Sequence, residues 1–554
     1  MSKKSGGKKR AGPTPDLKDL EFPAEELKAI VDRARSGPIT EAEAAKLQAI
    51  ISTFELLKAE LKSKGTSIER LKRMIFGAST EKTRAVLGEA TAAAGESTAA
   101  GNKGAASNGE KRPGHGRNGA AAYTGASKVT VAHESLHHGD DCPGCSGKVY
   151  MMKEPGRLVR VKAVAPLQAT VYECDKLRCN LCNEIYTAAA PSGIGTEKYD
   201  ASASAMVEML RYGTGLPFNR IEKLQAGLGV PLPTSTQWDL VREDVETVLP
   251  LHEEMIRQAA QVPLLHNDDT TMKILKLTPE QRVAALGEAG ADRTGVFTSG
   301  IVAVDPEHKI ALFFTGARHA GENLTEVLKR RAAELPPPIQ MCDGLSRNMA
   351  DDFETLLSEC ILHARRKYVD VAESFPEEVG FVLETLRAVY KTDAAAREQQ
   401  LSPKLRLQLH KKESGPLMEA LEKWMQEQFA ERKVEPNSGL GEAILYMQRH
   451  WEGLTAFLRI EGAPLDNNLC ERALKKAILH RRNSLYYKTP NGARAGDIFM
   501  TLIYTAELNG VSPFDYLVAL LRHPRQIAAN PLDWMPWNYR AAVAALTRAS
   551  VPPA

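Results

Sequence analysis

Two short apolar segments that each end in an acidic residue constrain the fold of this chain most tightly. VPLLHND (262–268) and IQMCD (339–343) both have the pattern of a short buried strand that ends in aspartate. GVFTSGIVAVD (295–305) and KIALFFT (309–315) lie between them and have the pattern of a hairpin. The sequence therefore predicts four strands, with an acid at the end of the first and of the fourth.

Helical patterns complete the order of elements in this region. ENLTEVLKRRAAE (322–334) is an amphipathic helix before the fourth strand, and NMADDFETLLSE (348–359) is predicted to be a helix after it. Strand, strand, strand, helix, strand, helix is the order of the ribonuclease H-like fold, with acids at the ends of its first and fourth strands. Asp268 and Asp343 occupy those two positions.

A pair of carboxylates on neighbouring central strands is suited to hard cations. Carboxylate oxygens bind Mg²⁺ or Mn²⁺ better than they bind zinc. Two such ions can activate a water or a 3′-hydroxyl and stabilise the leaving oxygen in a phosphoryl transfer. A third carboxylate is then needed, and we expect it on a later helix that packs across the sheet.

LDNNLCERALKKAILHRRN (465–483) offers that third carboxylate. Asp466 precedes a helical pattern and is predicted to be its N-cap, so Glu471, inside the helix, is the better candidate for a metal site. The alternative for Glu471 is an ion pair with Lys475 four residues later, which is worth about 0.2–0.5 kcal/mol. Spacing alone favours the ion pair, because any helix contains such pairs.

The length of the chain indicates several domains, and its small net charge indicates no strong overall electrostatic field. The chain has 554 residues, which is too long for one core. With 72 basic and 69 acidic side chains the net charge is only +3, so any nucleic-acid binding must come from local patches. No apolar run reaches the length of a membrane span, and the N-terminus lacks a signal-peptide core, so we expect an intracellular, cytoplasmic protein.

Two C-x2-C pairs predict a zinc ribbon, because two tight turns that each present two thiolates can complete a tetrahedral site. In a reducing compartment this pattern favours structural Zn²⁺ over disulfides, and chance pairing is the alternative. The expected ligands are Cys142, Cys145, Cys179 and Cys182.

The N-terminal half carries three further patterns. Apolar residues recur with 4-3 spacing over residues 50–75, which predicts helices that pair with a second chain or pack on themselves. Residues 87–122 have the composition of a flexible linker. Between residues 201 and 249, a helix, a second helix with Arg220 and Lys223, a glycine-containing turn and a third helix outline a helix-turn-helix, an outline that many helical hairpins share.

Basic residues cluster in two places in the second half of the chain. On an ordinary helix such runs are solvated faces, but beside clustered carboxylates they would offset the repulsion of a phosphodiester. The candidates for phosphate contact are Arg365, Arg366, Lys367, Lys475, Lys476, Arg481 and Arg482.

The predicted architecture is multidomain α+β: a ribonuclease H-like α/β catalytic core with a helical insertion, preceded by a helical or coiled-coil N-terminus, a zinc ribbon and a helix-turn-helix-like domain. The predicted segments are a basic tail (1–40), a dimerisation region (41–86), a linker (87–128), the zinc ribbon (129–195), a DNA-binding domain (196–255), the first part of the core (256–370), the insertion (371–462), the helix with the third carboxylate (463–500) and a C-terminal helical region (501–554).

From about Leu56 to Trp537, the sequence resembles the insertion-sequence 66 (IS66) family of bacterial DDE transposases. The matching pieces, in order, are RLKRMIFGASTEK, CPGC with CNLC, GLPFNRIEKLQAGLGVPLPTSTQWD, LLHNDDT, IQMCDG, ILHARRKY, LDNNLCERALKKAILHRRNSLYY, LIYTAELNGVSPFDYL and MPWN. Two departures stand beside the acids. The family commonly has Asp-Glu-Thr where this chain has Asp268-Asp269-Thr270, and Asp-Gly-Tyr where it has Asp343-Gly344-Leu345.

The resemblance implies that Asp268, Asp343 and Glu471 match the family's three metal-binding carboxylates. It implies a nucleoid-associated bacterial transposase that uses Mg²⁺ or Mn²⁺ to cleave and join double-stranded DNA at element ends and target. We expect at least a dimer, and small accessory proteins of the same element are candidate partners. The alternatives are a non-catalytic DNA-binding protein derived from a transposase, or a plain nuclease of the same fold.

Overall fold

The computed structural model describes residues 197–549 except residues 291 and 351. Before them it describes only residues 40, 135, 137–141, 143, 147–150, 166–178, 185–189 and 191. The predicted coiled-coil region, the linker and the four paired cysteines lie outside the described residues. None of the helices among the described residues combines the length and the apolar composition that crossing a bilayer requires.

Short antiparallel pairings surround both cysteine pairs in sequence. An isolated bridge joins Asp141 to Lys148, on either side of the first pair. Strand β1 (Lys176–Arg178) pairs antiparallel with β2 (Ile185–Thr187), on either side of the second pair. The apolar residues 169–174, which have the composition of a strand, lie in no strand, and β1 begins two residues after them.

The main sheet has five strands in the order β5-β4-β3-β6-β7. Antiparallel pairing joins β3 to β4 and β4 to β5, whereas β3 with β6 and β6 with β7 are parallel pairs. The strand bounds are β3 Leu264–Thr271, β4 Phe297–Val304, β5 Lys309–Gly316, β6 Ile339–Cys342 and β7 Leu356–Glu359. The four predicted strands are therefore present, with β3 in the middle of the sheet.

The helix predicted over residues 348–359 is wrong. That stretch ends in strand β7, and a 3₁₀ turn over Ser346–Asn348 precedes it. The register pairs Cys342 with Glu359, and Ser358 and Glu359 are buried. The segment LLSE (356–359) has too few residues to distinguish a helical period from a strand period, and it forms a strand by pairing with β6.

Proline and small hydroxyl residues begin several of the helices. Thr278, Ser402, Thr489 and Ser512 accept N-terminal N–H groups of their helices, and proline stands in the first turn of each. The helices are α1 Ala201–Glu208, α2 Phe218–Gly227, α3 Thr234–Ala259, α4 Pro279–Leu286, α5 Ala320–Leu328, α6 Ile361–Val369, α7 Pro376–Glu398, α8 Pro403–Glu413, α9 Gly415–Ala430, α10 Gly439–Arg449, α11 Trp451–Leu454, α12 Asn468–Ser484, α13 Pro490–Leu508, α14 Pro513–Arg522, α15 Pro524–Ala529 and α16 Tyr539–Ala549.

The edge strand β5 is closed by helix α13. Main-chain N–H groups of alternate β5 residues donate to α13 side chains and to its C-cap residue, all spaced four residues apart. One turn of helix matches two residues of strand closely enough for this ladder to persist. The edge is therefore not available for pairing with another strand. The acceptors are Asp497, Thr501, Thr505 and Asn509.

The three helices predicted between residues 201 and 249 are present as α1, α2 and α3, and α1 continues as a π-helix to Gly213. Helix α3 packs one face into the main core through Val241, Val248 and Met255. Acids outnumber bases among its exposed residues, with Asp239, Glu243 and Glu246 beside Arg242, whose guanidinium lies 3.3 Å from Asp239. Arg220 and Lys223 are exposed on α2.

Helices α7 to α11 form the predicted helical insertion between β7 and α12. The stripe of Met418, Leu421 and Met425 on α9 is fully buried. Trp424 lies beside Phe381 of α7, with ring centroids 5.3 Å apart. This stripe is packing surface, as its helical period predicts.

Candidate active site

Asp268 and Asp343 lie at the same edge of the sheet. Asp268 lies within β3, which continues three residues further to Thr271, so the prediction that the first strand ends at Asp268 is wrong, whereas Asp343 directly follows β6. Because these strands are parallel neighbours, their carboxyl ends point the same way. The Nδ2 of Asn348 donates to the Oδ1 of Asp343 and lies 3.4 Å from the Oδ1 of Asp268. One amide group therefore contacts both carboxylates.

Asp268 is held in an environment that opposes its charge. Burial and the neighbouring charge of Asp343 raise the pKa of Asp268 to about 7, and the charges of Asp269 and Glu471 act in the same direction. A main-chain bond from the N–H of Asp269, at 2.8 Å, partly opposes this rise. Carboxylates at such spacing need a cation between them to be ionised together.

Glu471 reaches this region because α12 packs closely on β4. The register places Gly300 of β4 opposite Asp268. A Cβ at Gly300 would lie 3.0 Å from the Cδ2 of Leu474 and 3.4 Å from the Sγ of Cys470. Glycine thus allows the close packing of strand and helix, and the next residue after Cys470 is Glu471.

The start of α12 is tied to the strand that carries Asp268. The side chain of Asn467, the N-cap residue, contacts the Nδ1 of His266 at 3.1 Å and donates to the main-chain oxygen of Asn267 at 3.0 Å. The prediction of Asp466 as N-cap is wrong by one residue. The Oδ1 of Asp466 still accepts the N–H of Asn468, at 3.1 Å, so it satisfies one free donor of the first turn.

A fourth carboxylate, Glu359, was missed by the sequence analysis. It ends β7 next to Asp343 and is 5% exposed, and burial raises its pKa. His450 of the segment between α10 and α11 opposes that rise, with its Nδ1 2.9 Å from the Oε1 of Glu359. The same rule that identified Asp268 and Asp343 applies to Glu359, but the incorrect helix assignment concealed it.

Asp269, one of the departures from the family pattern, is satisfied by two bases. Its Oδ2 lies 2.7 Å from the Nδ1 of His319, and its Oδ1 lies 3.6 Å from the guanidinium of Arg347. Its side chain is 2% exposed. The shorter acid therefore fits its place with no unpaired oxygen. Leu345, the other departure, is 45% exposed.

Glu471 also lies beside two side chains of a different kind. One ligating atom each of Cys360, His363 and Glu471 lie within 4.8 Å of one another, the only such set of His, Cys, Asp and Glu in the described part of the chain. Burial raises the pKa of the Cys360 thiol to about 12, and its sulfur accepts the N–H of Asn467. A protonated thiol is a poor ligand, so we assign no metal to this set.

The basic candidates differ in exposure, and several of them contact other residues of the protein. Arg366, Lys367, Lys475 and Arg482 are exposed. Arg365 is only 8% exposed, and Lys476 forms an ion pair with Glu507 at 2.8 Å. Arg481 donates to the Oγ1 of Thr270 at 3.0 Å and to Thr271. Lys476 and Arg481 therefore make contacts within the protein, and phosphate contact by Arg365, Lys476 and Arg481 stays a prediction.

The transposase IS66 family model matches residues 197–495 of the chain. The match spans more than half of the sequence, and this protein belongs to the IS66 transposase family. The family defines nucleotidyl transfer on DNA as the reaction class, with transposon ends as the DNA and divalent cations as the general requirement.

Two relatives from Sinorhizobium fredii (strain NBRC 101917 / NGR234) extend the similarity beyond the matched domain. The uncharacterized protein y4jD is 24% identical over an alignment of 507 residues that covers 85% of this chain and 93% of y4jD. The uncharacterized protein y4hP is 25% identical over an alignment of 388 residues that covers 67% of this chain and 68% of y4hP. The similarity therefore includes residues outside the family match.

Proposed function

We propose that this protein is a DDE-type transposase that cleaves DNA at the ends of its insertion sequence and transfers the freed strand to a target. Asp268, Asp343 and Glu471 are the proposed catalytic carboxylates. The observation that supports the proposal is that Asn348 contacts both aspartates and that the charge of Glu471 acts on Asp268. In the described part of the chain the three carboxylates do not bring one ligating atom each within 4.8 Å of one another.

The sheet topology supports a ribonuclease H-like core. Three antiparallel strands in sequence, then a helix and two strands parallel to the first, give the order β5-β4-β3-β6-β7. In this arrangement β3 and β6 are parallel neighbours, and their register, extended by two residues, sets Asp268 opposite Asp343. Helix α12 packs across β3 and β4 and supplies Glu471 from a segment about two hundred residues later in the chain.

The donor set fits Mg²⁺ or Mn²⁺. Asp268, Asp343 and Glu471 offer carboxylate oxygens, and a bound cation would offset the repulsion that Asp343 and Glu471 exert on the charge of Asp268. When bound, the cations supply an activated water or 3′-hydroxyl and charge stabilisation for the leaving oxygen. Glu359, held by His450, is placed to adjust the position of Asp343 from the side of β7.

The proposed DNA-contacting surface consists of exposed bases on three helices. Lys475 and Arg482 lie on α12 with Glu471, Arg366 and Lys367 lie on α6, and Arg220 and Lys223 lie on α2. These side chains would neutralise phosphates and hold the duplex at the carboxylates without distinguishing sequences. Helix α3 is not included because its exposed face is acidic.

The N-terminal modules complete the proposal. A Zn²⁺ ribbon formed by Cys142, Cys145, Cys179 and Cys182 is supported by the antiparallel pairings around each cysteine pair. A zinc content below about half an equivalent in purified protein would remove this part. Dimerisation through residues 41–86, and help from accessory proteins of the element, remain proposals from the sequence.

A cleavage assay on the element's own DNA tests the catalytic proposal. Labelled duplex that carries the element's ends is incubated with protein and Mg²⁺ or Mn²⁺, for the unaltered chain and for Asp268→Ala, Asp343→Ala and Glu471→Ala. We expect metal-dependent nicking that each substitution abolishes, with DNA binding retained. Binding without cleavage by the unaltered chain would instead identify a non-catalytic DNA-binding descendant of a transposase.

A further inference from the structure

Asn348 stands between the two aspartates of the proposed site. Its side chain is fully buried, and its Nδ2 contacts the Oδ1 of Asp343 and the Oδ1 of Asp268. A side-chain amide has two N–H groups on this nitrogen, so it can donate one to each carboxylate. Neither aspartate belongs to the 3₁₀ turn that contains Asn348. The contact of its amide with both aspartates therefore depends on the position of the segment that follows β6.

The main chain of Asn348 is fixed by the strands that carry the two acids. Its carbonyl oxygen accepts the Nδ2 of Asn267, on β3, at 2.7 Å and the Nε2 of Gln340, on β6, at 2.6 Å. The Nε2 of Gln340 also donates to the Oδ1 of Asn267 at 2.9 Å, and Thr355 donates to the Oε1 of Gln340 at 3.0 Å. This buried network sets the position of Asn348 relative to both strands.

Gly321 of α5 lets the segment approach closely. A Cβ at Gly321 would lie 2.0 Å from the main-chain oxygen of Met349 and 2.9 Å from that of Arg347. A side chain at this position would push the segment that contains Asn348 away from the helix. The placement of the amide therefore results from two strands and one helix that surround it.

The carbonyl oxygen of the Asn348 side chain has no hydrogen bond in this arrangement. The Oδ1 of Asn348 is buried and has no hydrogen-bond partner. Buried polar atoms in folded proteins are nearly always paired, and an exception requires an explanation. Here the N–H groups are committed to the two carboxylates, and the carbonyl end is left unsatisfied as a consequence.

We propose that Asn348 is a positioning residue that holds Asp268 and Asp343 together before a divalent cation binds. Two carboxylates that face one another repel, and in the absence of a cation this repulsion would separate them or leave one protonated. The two N–H groups of Asn348 counter that separation, so the cation meets ligands that are already in place. The inference deepens the proposed function and depends on it.

Mn²⁺ binding measures this role without any need for catalysis. Free Mn²⁺ is titrated by its electron paramagnetic resonance signal in the unaltered full-length chain and in Asn348→Ala, Asn348→Leu and Asn323→Ala. Residues around a metal site typically change its affinity 10–100-fold when substituted, and we expect a loss in this range for both Asn348 variants. Asn323, a buried asparagine that donates to Ser299 at 2.8 Å, is the matched control and should leave the affinity unchanged.

Thermal unfolding with and without Mn²⁺ separates positioning from ordinary packing. A structural role would lower the melting temperature of Asn348→Leu equally in both conditions, and that result would overturn the inference. A positioning role predicts a difference that depends on Mn²⁺, and Asn348→Leu keeps nearly the volume of the amide if the alanine variant does not fold.

Asp268→Asn separates a failure of the role proposed for Asn348 from a failure of the proposed metal-dependent function. One outcome would refute the role of Asn348 and leave the proposed metal site intact. In that outcome the unaltered chain and Asn348→Leu bind Mn²⁺ equally, and Asp268→Asn does not bind it. If the unaltered chain binds no Mn²⁺ that depends on Asp268, the proposed function and the inference both fail.

Discussion

Asp268 and Asp497 are two buried aspartates with the same raised pKa of about 7, and their surroundings differ completely. Asp497, on α13, receives the N–H of Thr315 at 2.7 Å and its hydroxyl at 2.6 Å. Burial alone raises its pKa, and these two bonds oppose the rise. For Asp268, burial and three acidic neighbours all raise the pKa.

The comparison shows that a shifted pKa does not by itself identify a functional carboxylate. Asp497 closes the edge of the sheet, and each of its oxygens has a donor that β5 supplies. Asp268 accepts the N–H of Asp269, but its charged neighbours are the acids Asp343, Asp269 and Glu471, whose repulsion a bound cation would offset. The distinction between a structural and a functional acid therefore lies in the charge of its partners.

The largest effect is expected from the pair Asp268→Asn and Asp497→Asn. Asp268→Asn removes a proposed cation ligand and should lower the rate of DNA cleavage by roughly 10³-fold or more, since cation stabilisation is worth several kcal/mol. Asp497→Asn should cost about 1–3 kcal/mol of stability, because one Thr315 donor then meets an amide N–H group. The rate of DNA cleavage and the free energy of unfolding in urea are measured for both variants. If both variants lost the same amount of cleavage activity and had the same stability, the distinction between a functional Asp268 and a structural Asp497 would be contradicted.

Gly300→Val tests the packing that brings Glu471 to Asp268. The added side chain would collide with Leu474 and Cys470, so we expect a stability loss of about 1–3 kcal/mol. A displacement of α12 by about 1 Å should also lower cleavage by roughly 10²-fold. Gly316→Val is the matched control on β5, where a Cβ would meet nothing within 4 Å. A Gly300→Val protein with full activity would show that α12 does not set the position of Glu471.

The pH dependence of stability sharpens the comparison further. A carboxyl whose folded pKa is raised above its ordinary 3.8 contributes stability that is present at low pH and is lost as the pH rises to about 7. Both aspartates contribute in this direction, by at most about 1.4 kcal/mol per pH unit each. Saturating Mg²⁺ should remove the contribution of Asp268 and leave that of Asp497.

Urea denaturation at pH 5 and pH 7.5, with Mg²⁺ and with a chelator, measures these contributions. Asp268→Asn should flatten the pH dependence in chelator and abolish the effect of Mg²⁺ on it. A Mg²⁺ effect that persists in Asp268→Asn but disappears in Asp497→Asn would reverse the roles that we assign to the two residues.

The smallest effect is expected at the proposed DNA-contacting surface. Arg482→Ala removes an exposed base and should weaken binding several-fold for all sequences alike, with the salt dependence reduced by about one phosphate contact. Arg481→Ala removes hydrogen bonds to Thr270 and Thr271 and should instead lower stability by about 1–2 kcal/mol. Fluorescence anisotropy at several salt concentrations, with thermal unfolding of both proteins, separates these outcomes.

The sequence predicted the strands that carry Asp268 and Asp343. It did not predict structure that depends on contacts between distant segments of the chain. VPLLHND and IQMCD are apolar runs whose ends are marked by acids, so β3, β6 and the positions of Asp268 and Asp343 could be predicted. Strand β7 could not, because LLSE becomes a strand only by pairing with β6.

The partners of the acids were also beyond sequence reasoning. Asn348 has no motif around it, and its role depends on Gln340 and Asn267 of two different strands. Spacing suggested that Arg481 and Arg482 were equivalent, whereas the structure directs Arg481 to Thr270 and leaves Arg482 exposed. Which side of a helix meets the sheet is determined by packing, and the charge pattern of α12 does not reveal it.

Metal-directed cleavage of the polypeptide tests the central claim most directly. Fe²⁺ replaces Mg²⁺ in the zinc-loaded protein, ascorbate and peroxide generate hydroxyl radicals at the bound ion, and mass spectrometry locates the cuts. We predict cuts near Asp268, Asp343 and Glu471, suppressed by excess Mg²⁺, and none near Asp497. Cuts that omit the segment of Glu471, or that occur at Asp497, would contradict a site built from these three carboxylates.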